Sequence, residues 1–267
     1  MLLTQARTTF TVLVLALLLL ARFGREFFRI STGDLAQCAL AGTLGVAGSN
    51  FFYYYAIQKS TVAVAITLQY TAPVWVLLYM VLRGRESASP RRFAAVLLAL
   101  LGIALTIGFF QSDLKLSRMG TGAALLASFS YALYNIVASG LVRRRHPLQV
   151  MMYTLLSAAV LWTAVNPPWR LVAESYTSAQ WEFLFVFACL SMLLPYVFYF
   201  TGLKYLDPTR AVVASCLEPV FAILFAAVLL GEGVGWLQVL GIVTVLVATV
   251  MAQGGTATAA TPTMEPG

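Results

Sequence analysis

Glu218 is the eighth residue of an apolar run, Ala211–Leu230, and Pro219 follows it at once. A carboxylate so placed is costly in hydrocarbon unless it faces protein or water, and such groups mark ion or substrate paths. Two roles suit it: binding a substrate ammonium, or carrying a coupled proton. The structural alternative is that it caps backbone freed by Pro219 or pairs with a buried Tyr.

Other polar and aromatic side chains fall at comparable depth in apolar runs. The candidate substrate-binding set is Glu218, Asn50, Tyr53, Gln69, Tyr70, Tyr131, Tyr134, Asn135, Tyr199 and Ser215, with Tyr153, Ser157 and Tyr196 as further candidates. Tyrosines near helix ends also form interfacial belts. Amides such as Asn50, Gln69 and Asn135 also bond between helices, at about 0.6 kcal/mol each. Pro73 and Pro219 each remove one helical hydrogen bond and free nearby carbonyls, which suits a gate or hinge.

Hydrolytic and metal chemistry lack their residues. His146, the sole histidine, stands in the turn Arg143–Pro147, so no HExxH is present; Gly120-Thr121-Gly122 lacks the rest of a dinucleotide fingerprint, and no GxSxG occurs. Cys38, Cys189 and Cys216 lie inside apolar runs without paired spacing and read as small buried residues. No catalytic residue, metal or cofactor is expected.

These residues must be positioned by helices in a bilayer. Of the 267 residues 60% are hydrophobic and only 10% charged, far more apolar than a soluble domain. Nine runs approach the length, about 20 residues, that crosses a hydrocarbon core of about 30 Å. They lie near 8–21, 35–57, 61–82, 93–110, 120–142, 149–165, 181–203, 211–230 and 234–252. Phe10–Leu20 is too poor in small cleavage-site residues for a signal peptide, and Arg22, Arg25 and Arg29 follow it.

If loops alternate sides, twelve of the 17 Lys and Arg share one side, in the turns around Arg22–Arg29, Arg83–Arg92, Arg143–Arg145 and Lys204–Arg210. Arg7, Lys59, Lys115, Arg118 and Arg170 take the other. Basic loops stay in the cytoplasm, so the +7 charge is a topology signal and no nucleic-acid partner is expected.

Sliding the sequence by 146 residues pairs Phe52 with Phe198, Tyr53 with Tyr199, Ala65 with Ala211, Pro73 with Pro219 and Glu86 with Glu232, without a gap. The loop after each copy differs in sign: Arg83–Arg92 is basic, whereas Gly231–Trp236 carries only Glu232. The copies are therefore expected to be inverted, which needs an odd number of helices in each, and five fits the spacing. Ten helices are then expected where nine are counted. At the same offset Met1 pairs with Pro147, so the first helix of the first copy is missing, through a mis-assigned start or a real truncation.

Two copies that each carry a mid-helix Pro, then Arg-Glu or Gly-Glu, then a glycine-containing last helix resemble the EamA-like branch of the drug/metabolite transporter superfamily. The carrying stretches are AIQKSTVAVAITLQYTAPVW with RGRE, and GLKYLDPTRAVVASCLEPVF with LLGE. The resemblance covers residues 1–253 and implies two inverted five-helix bundles, cytoplasmic termini, and export or exchange of small metabolites.

The expected architecture is thus an all-α polytopic membrane protein of two inverted five-helix repeats lacking the first helix, with nine transmembrane helices. Residues 1–112 form the first repeat, 113–253 the second, and 254–267 a disordered cytoplasmic tail. The expected function is a secondary transporter of the inner membrane working by alternating access on amino acids, amines or drug-like solutes. Its expected partners are the small-molecule substrate, a coupled proton, the lipid bilayer and, as an assembly option, a second copy in a homodimer. Phosphorylated substrates fit less well, because no Arg or Lys stands at mid-depth. A non-transporting structural or regulatory membrane protein, or a membrane-embedded enzyme, are the competing classes.

Overall fold

The computed structural model describes residues 2–111, 117–167 and 176–254. Apart from residue 254, the expected tail lies outside the described residues, as do Lys115 and Arg170 from the loop-charge pattern.

The described residues form helices and turns, with no strand. In chain order α1 is Leu2–Phe23. A rod over 32–59 joins α2 (Thr32–Leu40), a π-helical segment (Ala41–Ala47) and α3 (Gly48–Lys59). Then come α4 (Val62–Gln69), α5 (Ala72–Leu82), α6 (Pro90–Thr106), α7 (Arg118–Val142) and α8 (Pro147–Val165). A second rod joins α9 (Ser178–Ala188), a π-helical segment (Cys189–Leu193) and α10 (Leu194–Leu203). Last are α11 (Pro208–Ser215), α12 (Glu218–Leu230) and α13 (Trp236–Gln253).

Among the described residues, seven stretches are long and apolar enough to cross a bilayer: Leu2–Phe23, Val62–Leu82, Arg118–Val142, Pro147–Val165, Ser178–Leu203, Pro208–Leu230 and Trp236–Gln253. The other two expected runs fall on the rod over 32–59 and on α6, which has 17 residues. The chain is a multi-pass membrane protein.

Interruptions fall at matched places. Pro73 and Pro219 stand in the first turns of α5 and α12, so each span is two helices joined at Tyr70-Thr71 and at Cys216-Leu217. Those joints differ by the 146-residue offset. So do residues 43–47 of the first π-helical segment and Cys189–Leu193 of the second. Pro195 withholds an N–H from the turn before it, a local cause for the second segment.

Packing relies on small residues, since between helices in lipid close van der Waals approach substitutes for the hydrophobic effect. Gly42, Gly45 and Gly48 do allow close approach: a Cβ there would press on the Thr154 carbonyl, on Tyr134 and on Ser130. Gly102 and Gly241 bring α6 and α13 together, and Ala95, Ala99, Val245 and Ala248 complete that buried seam.

The basic turns gather at one end of the bundle. Arg144 and Arg145 pair with Asp34 at 3.0 and 2.7 Å, Arg92 and Arg143 reach Asp207, and Gln149 Nε2 donates to the Phe27 and Arg29 carbonyls. The last turn of α13 ends there too, where Arg91 Nε donates to the Met251 carbonyl at 2.9 Å.

Helix starts follow sequence in part. Thr61 caps α4 by accepting from the Val64 N–H at 3.3 Å. Asp207 precedes Pro208 at the start of α11, a capping pattern, yet its side chain makes no capping bond, because Arg92, Arg143 and Arg210 hold it. Glu86, from the turn after α5, accepts from the Thr209 N–H at 3.3 Å in its place.

Candidate functional site

The two helix joints meet in the middle of the bundle. Glu218, the first residue of α12, has the electropositive end of that helix beneath its carboxylate, worth about 0.3–1 kcal/mol. Tyr70, at the other joint, donates its hydroxyl to Glu218 Oε2 at 3.0 Å. The pairing with a Tyr weighed from sequence is therefore present, yet Glu218 stays exposed to a cavity. Thr71 Oγ1 donates to the Leu68 carbonyl at 2.7 Å and lies 2.8 Å from Ser128 Oγ, so α7 braces the first joint. Tyr131 of α7 donates to Ser215 Oγ at 3.3 Å and braces the second.

A cavity of about 570 Å³ rises from these joints toward the end opposite the basic turns, and Glu218, Tyr70, Tyr131, Gln69, Asn50 and Tyr53 are on its wall. That size lies within the usual range for small-molecule sites, about 300–1,000 Å³. A second cavity of about 610 Å³ lies at the basic end, lined by residues such as Ile136, Ser139, Gly140, Arg143 and Asp207. The two share no lining residue. Along α7, Tyr131 faces the first, and Ile136, Val137, Ser139 and Gly140 face the second. Between them sits a packed layer in which Ala72, Val76, Met80, Ala132 and Val212 are buried together.

A charge cluster draws the basic end together. Arg92 reaches Glu86 at 3.1 Å and Asp207 at 3.4 Å, with side chains only 11%, 2% and 24% exposed. Arg210 Nε stands 3.5 Å from Asp207. Glu86 follows α5 and Asp207 precedes α11, so the cluster ties the two broken spans together where one ends and the other begins.

Six of the ten candidate binding residues line the first cavity: Glu218, Asn50, Tyr53, Gln69, Tyr70 and Tyr131. Gln69 also donates to Ser49 Oγ at 3.1 Å, and Asn50 to the Val46 carbonyl at 2.9 Å, so both amides bond within the protein as well as facing the cavity. Tyr134, Asn135, Tyr199 and Ser215 are not on its wall. Tyr134 and Asn135 are 2% and 0% exposed, Asn135 accepts from the Tyr199 hydroxyl, and Tyr134 packs on the Tyr199 ring. Tyr134 and Tyr199 belong to the core that α7 shares with α8 and α10. Tyr153 donates to the Phe28 carbonyl and so joins α8 to the turn after α1, whereas Ser157 bonds back to the Tyr153 carbonyl within α8. Pro219 lines the cavity and Pro73 is buried.

Four polar or aromatic lining residues escape the sequence reading: Arg7, Tyr54, Thr106 and Gln238. Arg7 was assigned to a loop, and no basic residue was expected beside the site. It instead lies inside α1, because that helix begins at Leu2 and not near Thr8. The signal was available, since Leu2-Leu3 extends the apolar run past Arg7.

The sequence model of the EamA-like transporter family matches residues 2–108 and 118–253. The chain is similar to the uncharacterized transporter YcbK of Bacillus subtilis (strain 168), with 26% identity over 219 residues, 78% of this chain and 69% of that protein. The threonine/homoserine exporter RhtA of Escherichia coli (strain K12) is 26% identical over 212 residues, covering 77% of this chain and 67% of the relative. An uncharacterized transporter of Archaeoglobus fulgidus is 27% identical over 213 residues, covering 78% and 75%. One crystal structure of a protein superposes with a TM-score of 0.77 over 94% of this chain and 86% of the other; at 20% identity this is a likeness of fold. The relatives are named transporters, and with the family match spanning nearly the whole chain, this protein belongs to the EamA-like transporter family.

Proposed function

We propose that the chain is a secondary transporter that exports or exchanges small metabolites, amino acids and amines foremost, by alternating access. The observation that carries this reading is the pair of cavities at opposite ends, without a shared lining residue and with a packed layer between. Substrate occupies the first cavity against Glu218, Tyr70 and Tyr131, and a proton on Glu218 is the coupling species. The amino-acid reading draws on the printed function of RhtA.

In this reading nine helices cross the inner membrane, the basic end faces the cytoplasm, and the C-terminus lies there. Residues 1–112 and 113–253 act as inverted repeats, supported by the matched helix joints and π-helical segments and by the meeting of the α5 end with the α11 start. Inverted halves exchange conformations, so that each end closes in turn. In the described conformation Glu86 of the first half receives the Thr209 N–H of the second. By the 146-residue offset, Glu232 of the second half receives the Ala63 N–H of the first when the opposite end closes.

The test is flux of radiolabelled amino acids and amines through proteoliposomes of the purified chain, with an imposed pH gradient. Saturable counterflow that the gradient accelerates is expected. No saturable flux of any panel member, from protein that is folded and inserted, would overturn the transporter reading.

A further inference from the structure

The first cavity holds charges of both signs. Among the described residues Glu218 accepts one bond, from Tyr70, at one oxygen. Arg7 enters from α1, its guanidinium over the Phe187 ring at 5.4 Å and its buried Nε without a hydrogen-bond partner. Arg7 and Glu218 form no ion pair with each other among the described residues. Arg7 is half-buried, and a buried guanidinium nitrogen without an acceptor is costly; guanidinium is also the group best matched to a planar carboxylate.

We infer that Arg7 and Glu218 form a two-ended clamp for a zwitterion: Arg7 holds the carboxylate of an α-amino acid and Glu218 its ammonium, while Ile66, Ile107, Ala222 and Ile223 face the side chain. This rests on the reading of the cavity as the transport site. The clamp follows from pairing chemistry. A bare amine would satisfy Glu218 and leave a positive charge near Arg7. A bare carboxylate would satisfy Arg7 and be repelled by Glu218. Only a ligand with both ends leaves no charge in the cavity unmatched. Tyr53, Tyr54, Tyr70 and Tyr131 line the same cavity and supply hydroxyl groups and ring faces at its wall, where a small side chain is as acceptable as an aromatic one.

The test compares binding of three zwitterions (glycine, L-threonine and L-phenylalanine) with L-threoninamide, which lacks the carboxylate, and 2,3-dihydroxybutanoate, which lacks the ammonium. Isothermal titration on detergent-purified protein and proteoliposome counterflow read the same panel. Hydrogen bonds to charged groups contribute enough that losing one end should weaken binding about tenfold to a hundredfold. Arg7→Gln is expected to bring L-threonine down to the level of L-threoninamide while leaving L-threoninamide itself unchanged. Glu218→Gln should bring L-threonine down to the level of 2,3-dihydroxybutanoate and leave that acid unweakened. Arg7→Lys should keep part of the preference.

Equal weakening of all ligands by Arg7→Gln would make Arg7 a packing residue and overturn the clamp. So would wild-type binding of all ligands alike, or of none of the three zwitterions. Counterflow of amines without zwitterions overturns the clamp and spares the transporter reading, whereas absence of all flux overturns that reading too.

Discussion

Replacing Arg92 should open the basic end. Arg92 is the shared partner of Glu86 and Asp207, at 3.1 and 3.4 Å, and the Glu86 side chain is only 2% exposed. In Arg92→Met the aliphatic stem is roughly kept and Glu86 is left as a buried carboxylate holding only the Thr209 N–H. Stripping one partner from a buried pair costs about 3–5 kcal/mol. Arg143 and Asp207 are nearer water and soften the loss, so about 2–3 kcal/mol is expected in the balance between closed and open. At 1.4 kcal/mol per tenfold, this is a shift of about 30-fold to 150-fold. The probe is Ala132→Cys, in the packed layer between the cavities, with Cys38, Cys189 and Cys216 replaced. A membrane-impermeant maleimide applied from the basic side should react about 30 to 150 times faster in Arg92→Met and only a few times faster in Arg92→Lys. Ala248→Cys, in the α6–α13 seam, should stay unreactive and so separate gate opening from unfolding. An unchanged rate at Ala132→Cys in folded Arg92→Met protein would refute the latch.

Two further outcomes are expected. With native cysteines removed, Glu232→Cys with Ala63→Cys should form a cross-link when substrate and proton gradient drive turnover and none when the basic end is locked; a cross-link indifferent to both would count against exchange of the halves. His146 lies against the Phe23 and Phe27 rings and accepts from the Leu148 N–H at 3.3 Å. Burial first, and the Lys204 charge second, lower its pKa below 6.5. The native state therefore binds fewer protons than the unfolded one. Its stabilising contribution is complete above about pH 6.5 and is lost as pH falls below that value. Thermal midpoints measured from pH 7 to pH 5 should fall further for the wild type than for His146→Asn, which keeps a capping side chain; parallel falls would remove His146 from the acid response.

Helices and their joints were legible because a 3.6-residue rod in lipid must be apolar along nearly its whole length, and because Pro announces where a rod breaks. Glu218 was legible for the opposite reason: a charge stands out in such a run. Depth along the helix was readable, but rotation about its axis was not. Tyr131 and Tyr134 are three residues apart on α7, yet one faces the cavity and the other is buried. In a helix surrounded by protein both faces are apolar or aromatic, so no moment distinguishes them. Asp207 illustrates a second limit. Asp before Pro at a helix start is a strong capping signal, and it lost to Arg92 of α6 and Arg143 just past α7, both brought by tertiary structure, together with its own neighbour Arg210. The π-helical segments were invisible because nothing in apolar composition separates four from five residues per hydrogen-bonded ring.

On the proposed exchange of halves, the 146-residue offset also accounts for a basic end that is held together in this conformation. Arg92 corresponds to Gln238, and Asp207 to Thr61. The closed end thus holds a buried ionic cluster, while the equivalent contacts at the other end, on the proposed exchange, are a Glu, an amide and a hydroxyl that caps its own helix. Gln238 meanwhile lines the first cavity and bonds locally, to the Gly235 N–H at 2.8 Å and the Thr106 carbonyl at 3.4 Å. Two latches built on one plan but different in charge cannot be equal in strength. The halves of an inverted repeat supply two conformations, and the divergence of a few side chains at the gates sets which one is occupied without substrate. On the proposed export cycle, the ionic latch at the basic end makes the return to an inward-open state the step that breaks buried ion pairs, and therefore the step on which a proton or substrate gradient has most to act.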